Sequence, residues 1–211
     1  AFDLRTIAII PAYNEEKTVG NSVAAAKGSR YVAEVFVVND GSCDRTSQIA
    51  EEAGATVIEM GNNRGKGAAL QRGLQSTASD IIVFLDADLI GLTTAHVDAL
   101  ILPVLQGEVD RTLGVFDGGR RSTDLAQKIT PFLTGQRALR RQVLQELPNI
   151  EELGFGVEVA LTRYAKSHDI PYREVMLTEV SQVMKEEKFG LLDGITRRLR
   201  MYWDIVRTLA Q

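Results

Sequence analysis

Short runs of β-branched and aliphatic residues alternate with longer stretches of helical periodicity over the first ninety positions. That alternation predicts βαβ units, which build a mostly parallel sheet with helices on its faces. Thr6 to Ile10 is almost continuously apolar, the pattern of a central strand buried on both faces. Pro11, with no N–H to give a ladder, is expected to end it. Asn14 offers a cap for the helix that follows, with Glu15 and Glu16 in its first turn and Gly28 closing it. A strand over Ala33 to Val38 comes next, then a helix capped by Asp44, running through Ala53 and closed by Gly54. Thr56 to Glu59 reads as a short strand, Ala69, Leu70, Gly73 and Leu74 as a helical stripe, and Ile81 to Leu85 as a fourth buried strand.

The pattern is less regular beyond Leu89. It predicts helices over Thr93 to Leu105, Thr123 to Leu133, Arg140 to Leu147, Gly156 to Ser167 and Leu191 to Leu209, with strands over Arg111 to Phe116 and Tyr172 to Val180. In the last helix Leu192, Ile195, Leu199, Tyr202, Val206 and Leu209 recur at spacings of three and four and form one apolar stripe. That stripe suits packing on the domain itself, a homodimer contact, or, with Arg197, Arg198, Arg200, Arg207 and Trp203 beside it, a membrane surface.

Composition narrows the classes. A chain of 211 residues with 45% hydrophobic content can bury one substantial core, so a single domain over 1–211 is expected. Lys and Arg number 24 against 28 Asp and Glu, a net charge of -4, which argues against nucleic acid as a partner. The single Cys43 excludes an internal disulfide framework. No apolar run approaches the roughly 20 residues of a membrane-spanning helix. Together these point to a cytoplasmic protein.

Four polar segments follow predicted strands: Pro-Ala-Tyr-Asn-Glu at 11–15, Asn-Asp-Gly-Ser at 39–42, Gly-Asn-Asn-Arg-Gly-Lys-Gly at 61–67 and Asp-Ala-Asp at 86–88. In an open α/β sheet such segments share the carboxyl edge of the strands, where ligands bind. Asp86 and Asp88, two apart in an extended segment, can face one cation, and a pair of carboxylates suits Mg2+ or Mn2+. Asp40 stands in a turn where its carboxylate can accept a proton from a base imide or a ribose hydroxyl. The glycines of 61–67 let backbone N–H groups approach an anion, with Arg64 and Lys66 supplying charge.

The order and spacing of these four segments resemble glycosyltransferase family 2, which has the GT-A fold, a Rossmann-like α/β architecture. The resemblance is close over Thr6 to Leu89. It implies an inverting, metal-dependent glycosyltransferase in which Pro11, Ala12, Tyr13, Glu15, Asp40, Lys66 and Asp86 bind a UDP- or GDP-sugar. Asp86 and Asp88 then hold Mg2+ or Mn2+, and Asp88 joins the catalytic group. On this view 1–90 is the nucleotide-binding half, 91–190 the acceptor-side half and 191–211 a C-terminal amphipathic helix. A non-catalytic nucleotide-binding module is the alternative from another class. A looser likeness continues through Gly119, Arg120 and Arg121, Thr134 to Ala138, and Gly154 to Glu158.

The Gly-Gln-Arg-Ala-Leu-Arg stretch at 135–140 is similar to one in polyprenyl-phosphate sugar synthases, where arginines grip an acceptor phosphate. By that likeness Arg120 and Arg137 are the acceptor-binding candidates and a polyprenyl phosphate is the first-choice acceptor. The Gly-Phe-Gly-Val-Glu-Val-Ala-Leu run at 154–161 also resembles enzymes that glycosylate 3-phosphoglycerate, which keeps a hydroxyl acceptor, phosphoglycerate or a glycan, as the second choice. A hydroxyl acceptor needs a base, and Glu158 is the candidate, chosen over Glu151 and Glu152. His96 and His168 lack partners at metal-ligand spacing and are expected to pack or face solvent.

Overall fold

The computed structural model describes residues 4–117, 135–145 and 157–183. The predicted helices over 123–133 and 191–209, Arg120, Glu151 and Glu152 lie outside them. Strands β1 (Thr6–Ala12), β2 (Val32–Asn39), β3 (Thr56–Glu59) and β4 (Ile81–Phe84) pair in parallel as predicted. With β6 (Arg111–Phe116), β7 (Arg137–Arg140) and β8 (Tyr172–Leu177) they form a seven-stranded sheet of order β3-β2-β1-β4-β7-β6-β8, in which β7 alone runs antiparallel to its neighbours. The observed α/β layout matches the expected GT-A architecture over the described residues. A second, two-stranded sheet joins β5 (Leu89–Ile90) to β9 (Ser181–Gln182).

Both faces are covered, which is why the central strands read as unbroken apolar runs. Helices α1 (Val19–Gly28), α2 (Thr46–Glu52) and α4 (Thr94–Leu105) bury Val19, Val23, Ala50, Val97, Leu100 and Ile101 against Ala8, Ile10, Val35, Val37 and Val83. On the opposite face α3 (Lys66–Gln75), α5 (Gln142–Gln145) and α6 (Val157–Ser167) bury Ala69, Leu70, Val143, Leu144 and Leu161 against Ile7, Ile9, Ile82, Phe84 and Leu139. The second face matters most for function, because α3 and α6 both begin at the carboxyl edge of the sheet, each with a charged residue in its first turn: Lys66 and Glu158.

Several local expectations change. Pro11 does not end β1, which continues to Ala12 in register with Val38 and Asn39. The Ile9 carbonyl accepts from the Leu85 N–H on the β4 side, so the position where Pro11 lacks a donor faces that same side, past the last β1–β4 pair at Ile9 and Phe84. A missing N–H there breaks no rung. Asn14 does not cap α1, which starts only at Val19 and so leaves Glu15 and Glu16 outside its first turn. Asn14 has a positive φ of 53°, a conformation asparagine tolerates, and laces two loops together: its N–H donates to Ser42 Oγ at 2.9 Å and its Oδ1 accepts from the Cys43 N–H at 2.9 Å. Within the described part of the predicted Arg140–Leu147 helix, α5 covers Gln142–Gln145, and the first residue, Arg140, belongs to β7, a strand the sequence pattern does not predict. The predicted strand over 172–180 ends at Leu177; Glu179 turns the chain with a φ of 60°, and β9 follows.

His96 completes a capping box with Thr93 at the start of α4, a role the sequence reading does not name, and His168 stacks on Tyr164 at 4.1 Å between ring centroids, the packing role expected.

Candidate active site

The first three polar segments meet at the carboxyl edge. Asn39 leaves β2 with its amide donating to Ser47 Oγ at 2.7 Å and Glu59 Oε2 at 2.8 Å, while its Oδ1 receives the Ser42 N–H at 3.1 Å. The loop is thereby tied to β3 and α2. Gly41 has a φ of +75°, and a Cβ there would fall 2.6 Å from the backbone of Asn62 and Asn63, so only glycine lets the 39–42 and 61–65 loops touch. Asp40 exploits that contact: its two carboxylate oxygens accept the N–H groups of Arg64 and Gly65, each at 2.8 Å. Burial raises the Asp40 carboxyl above its ordinary range, opposed by these two backbone bonds and by the Arg64 charge. Ala12, Glu15 and Asp40 are buried, and Pro11 and Tyr13 are part-exposed beside them.

The Asp-Ala-Asp segment is a turn between β4 and β5, not the extended run expected. Gln182, brought in by the β5–β9 pairing, places its side-chain nitrogen 2.8 Å from Asp86 Oδ2 and 3.5 Å from Asp88 Oδ1. One amide nitrogen thus lies near an oxygen of each carboxylate, so the two side chains face the same space. Among the described residues no cluster of three or more His, Cys, Asp or Glu could hold a metal. A cation here would take two carboxylates from the protein and complete its shell with phosphate oxygens and water, the arrangement that suits Mg2+.

Behind that pair lies a buried charge cluster. Lys66 Nζ sits 2.8 Å from Asp86 Oδ1 and also pairs with Glu158 Oε1; the side chains of Lys66, Asp86 and Glu158 are 17%, 15% and 8% exposed. Arg137 lines the same pocket with Pro11, Leu70, Phe84, Gly135 and Leu161. Burial favours a neutral lysine, but the charges of Asp86 and Glu158 outweigh it and raise Lys66 above its ordinary range. Burial also opposes ionisation of Asp86, and here Lys66, with hydrogen bonds from Gln136 and Gln182, wins and holds the carboxyl below its usual range. For Arg137 burial wins: its guanidinium is pushed down to about 10, with Glu158 and Asp86 offsetting part of the penalty and Arg111 adding to it.

Packing adds a feature to each of two candidates. Glu158, the candidate base, pairs with Lys66, and Arg137, the candidate acceptor-phosphate ligand, is 3% exposed beside Glu158 and Asp86. Both belong to the pocket, but they reach it as members of a compensated charge cluster. Sequence reading misses Gln136 and Gln182, whose amides reach Asp86 across 50 and 96 positions of chain. No spacing rule links residues so distant.

Glycosyl transferase family 2 matches residues 7–163 of the chain. Glucosyl-3-phosphoglycerate synthase of Mycobacterium tuberculosis is 33% identical over an alignment covering 74% of this chain and 60% of the relative; that of Petrotoga mobilis is 30% identical, covering 75% and 59%. The chain thus spans about 60% of the length of these relatives. The M. tuberculosis enzyme solved in complex with Mn2+, UDP and phosphoglyceric acid superposes with a TM-score of 0.79 at 26% identity, covering 98% of this chain and 77% of that one. The same enzyme with Mg2+ and UDP gives a TM-score of 0.77 at 27% identity, covering 98% and 78%. With the fold, the carboxylate turn and these relatives in agreement, the chain belongs to glycosyl transferase family 2.

Proposed function

We propose that the protein transfers glucose from UDP-glucose to the hydroxyl of a small phosphorylated acid of the phosphoglycerate type, with Mn2+ or Mg2+ bound at Asp86 and Asp88. The observation that carries the reading is that the Asp86 and Asp88 carboxylates face one space at the sheet edge, each with an oxygen near the Gln182 amide nitrogen. Solved relatives support the donor and metal, since they hold UDP or UDP-glucose with Mn2+. They also favour the second of the two acceptors expected from the sequence, because the acceptors in their complexes are phosphoglyceric acid and glycerol 3-phosphate. A polyprenyl phosphate finds no support among them. Among the described residues no helix is long and apolar enough to cross a membrane.

In this reading Asp40, with the 11–15 and 61–65 loops, holds the nucleoside, and Asp86 and Asp88 hold the diphosphate through the cation. A divalent ion there would neutralise the charge that gathers on departing UDP. Lys66 fixes Asp86 from behind and keeps the floor of the pocket electrically balanced. An inverting displacement by a hydroxyl needs a base to take its proton, and Glu158, whose carboxylate pairs with Lys66 in the pocket, is the candidate.

Asp40→Asn tests the nucleoside assignment. An amide can accept only one of the two backbone N–H groups and sets its NH2 against the other, so UDP affinity is expected to fall about tenfold, in line with about 1.5–3 kcal/mol for a hydrogen bond to a charged group. Calorimetric titration reads it, and unchanged affinity would move the nucleoside elsewhere. For the function itself, UDP release is followed with UDP-glucose, Mn2+ and a panel of 3-phosphoglycerate, glycerol 3-phosphate, polyprenyl phosphate and neutral glycans. Turnover with the phosphorylated acids alone is the expected result; turnover only with the lipid phosphate would restore the other acceptor.

A further inference from the structure

We infer that Gln136 is a positioning residue that sets the metal affinity of the site by fixing Asp86 in two places at once. Its Oε1 accepts the Asp86 backbone N–H at 2.7 Å, and its Nε2 donates to Asp86 Oδ2 at 2.8 Å. One amide therefore spans the main chain and the carboxylate of the same residue, locking the side-chain torsions of Asp86 between them. Gln136 is completely buried and stands at the start of β7, whose pairing of Arg137 with Phe84 carries it alongside the end of β4. Its neighbour Gly135 completes the cradle. A Cβ there would lie 2.5 Å from both Asp86 carboxylate oxygens, so the carboxylate occupies the space a side chain would need.

The two glutamines at Asp86 differ in kind. Gln182 is exposed and spans Asp86 and Asp88, on the side from which a cation would come, so its contact is one a cation replaces. Gln136 approaches from within the protein, and its two bonds to Asp86 are ones a cation can leave in place. Its bond directs one lone pair of Oδ2 into the protein and leaves Asp86 preorganised in the presence or absence of metal. Hydrogen bonds of this kind behind a ligating carboxylate are worth about 10–100-fold in metal affinity or activity when removed.

The inference rests on the proposed metal-dependent reading, and the test separates the two. Mn2+ affinity in the presence of UDP, UDP affinity without metal, and the melting temperature are measured for the wild-type protein, Gln136→Met and Gly135→Ala. Methionine fills the space without either hydrogen bond, whereas the alanine Cβ displaces the carboxylate and leaves Gln136 in place. Both variants are expected to weaken Mn2+ binding at least about tenfold, with metal-free UDP affinity held within about twofold because neither substitution touches the Asp40 loops. Unchanged Mn2+ affinity in either folded variant overturns the inference and leaves the proposed function standing. A parallel loss of metal-free UDP affinity overturns it too, since a merely structural role would do that. Wild-type protein that binds no Mn2+ with UDP overturns both the inference and the reading on which it rests.

Discussion

Asp88→Ala is expected to lower the proposed glucosyl transfer by about 10²–10³-fold, the loss typical when one group that stabilises developing charge is removed. Asp88 is part-exposed in the turn after β4, and the Lys66 ion pairs run to Asp86 and Glu158, so the variant keeps that cluster and should fold as the wild type does. The contrast with Asp86→Ala is informative. Asp86 is tied to Lys66, Gln136 and Gln182, and its loss would strand a buried ammonium and disturb the fold as well as the metal. A folded Asp88→Ala protein with near wild-type turnover would show that the carboxylate pair is not the metal site.

The second large effect is on stability. Lys66→Met leaves the Asp86 and Glu158 carboxylates in one pocket without the ammonium that joins them. Breaking a buried pair by deleting one partner costs about 3–5 kcal/mol, and Arg137 nearby puts the expected value at the lower end. For a chain of this size that corresponds to a fall of about 6–12 °C in melting temperature. Mn2+ with UDP should restore part of it, because a ligand that binds only the folded state stabilises by mass action and brings positive charge back beside Asp86. A fall of less than about 2 °C, below what 1 kcal/mol would give, would mean that Arg137 alone balances both carboxylates.

The nucleotide-side half of the fold is legible because its signals are local. Buried parallel strands must be apolar on both faces, so β1, β2 and β4 announce themselves as runs, and the polar residues that follow them must lie on one edge. Asp40, Asp86 and Asp88 stand out that way. β7 does not, because Arg137–Arg140 is made of good helix formers, and its strand conformation is imposed by pairing with β4 on one side and β6 on the other. Missing that strand hides the role of its start: Gln136 looks like part of an acceptor segment, while the sheet brings it behind Asp86.

Glu158 and Arg137 show a different limit. Residue type and motif place both at the site, and both line the pocket. Their roles depend on who neutralises whom, which is a property of the folded charge cluster. Lys66, read from a glycine-rich loop as a phosphate ligand, is the first residue of α3 and pairs inward with two carboxylates. The sequence carries the inventory of charges; only the folded meeting of Lys66 at the start of α3 with Glu158 in the first turn of α6 reveals their pairing.

The most direct test of the central claim is a calorimetric titration of UDP into the wild-type protein with and without Mn2+. The account predicts binding that strengthens markedly when Mn2+ is present and that Asp88→Ala reduces to the metal-free level. UDP affinity indifferent to Mn2+, or equal in the wild type and the variant, would contradict it.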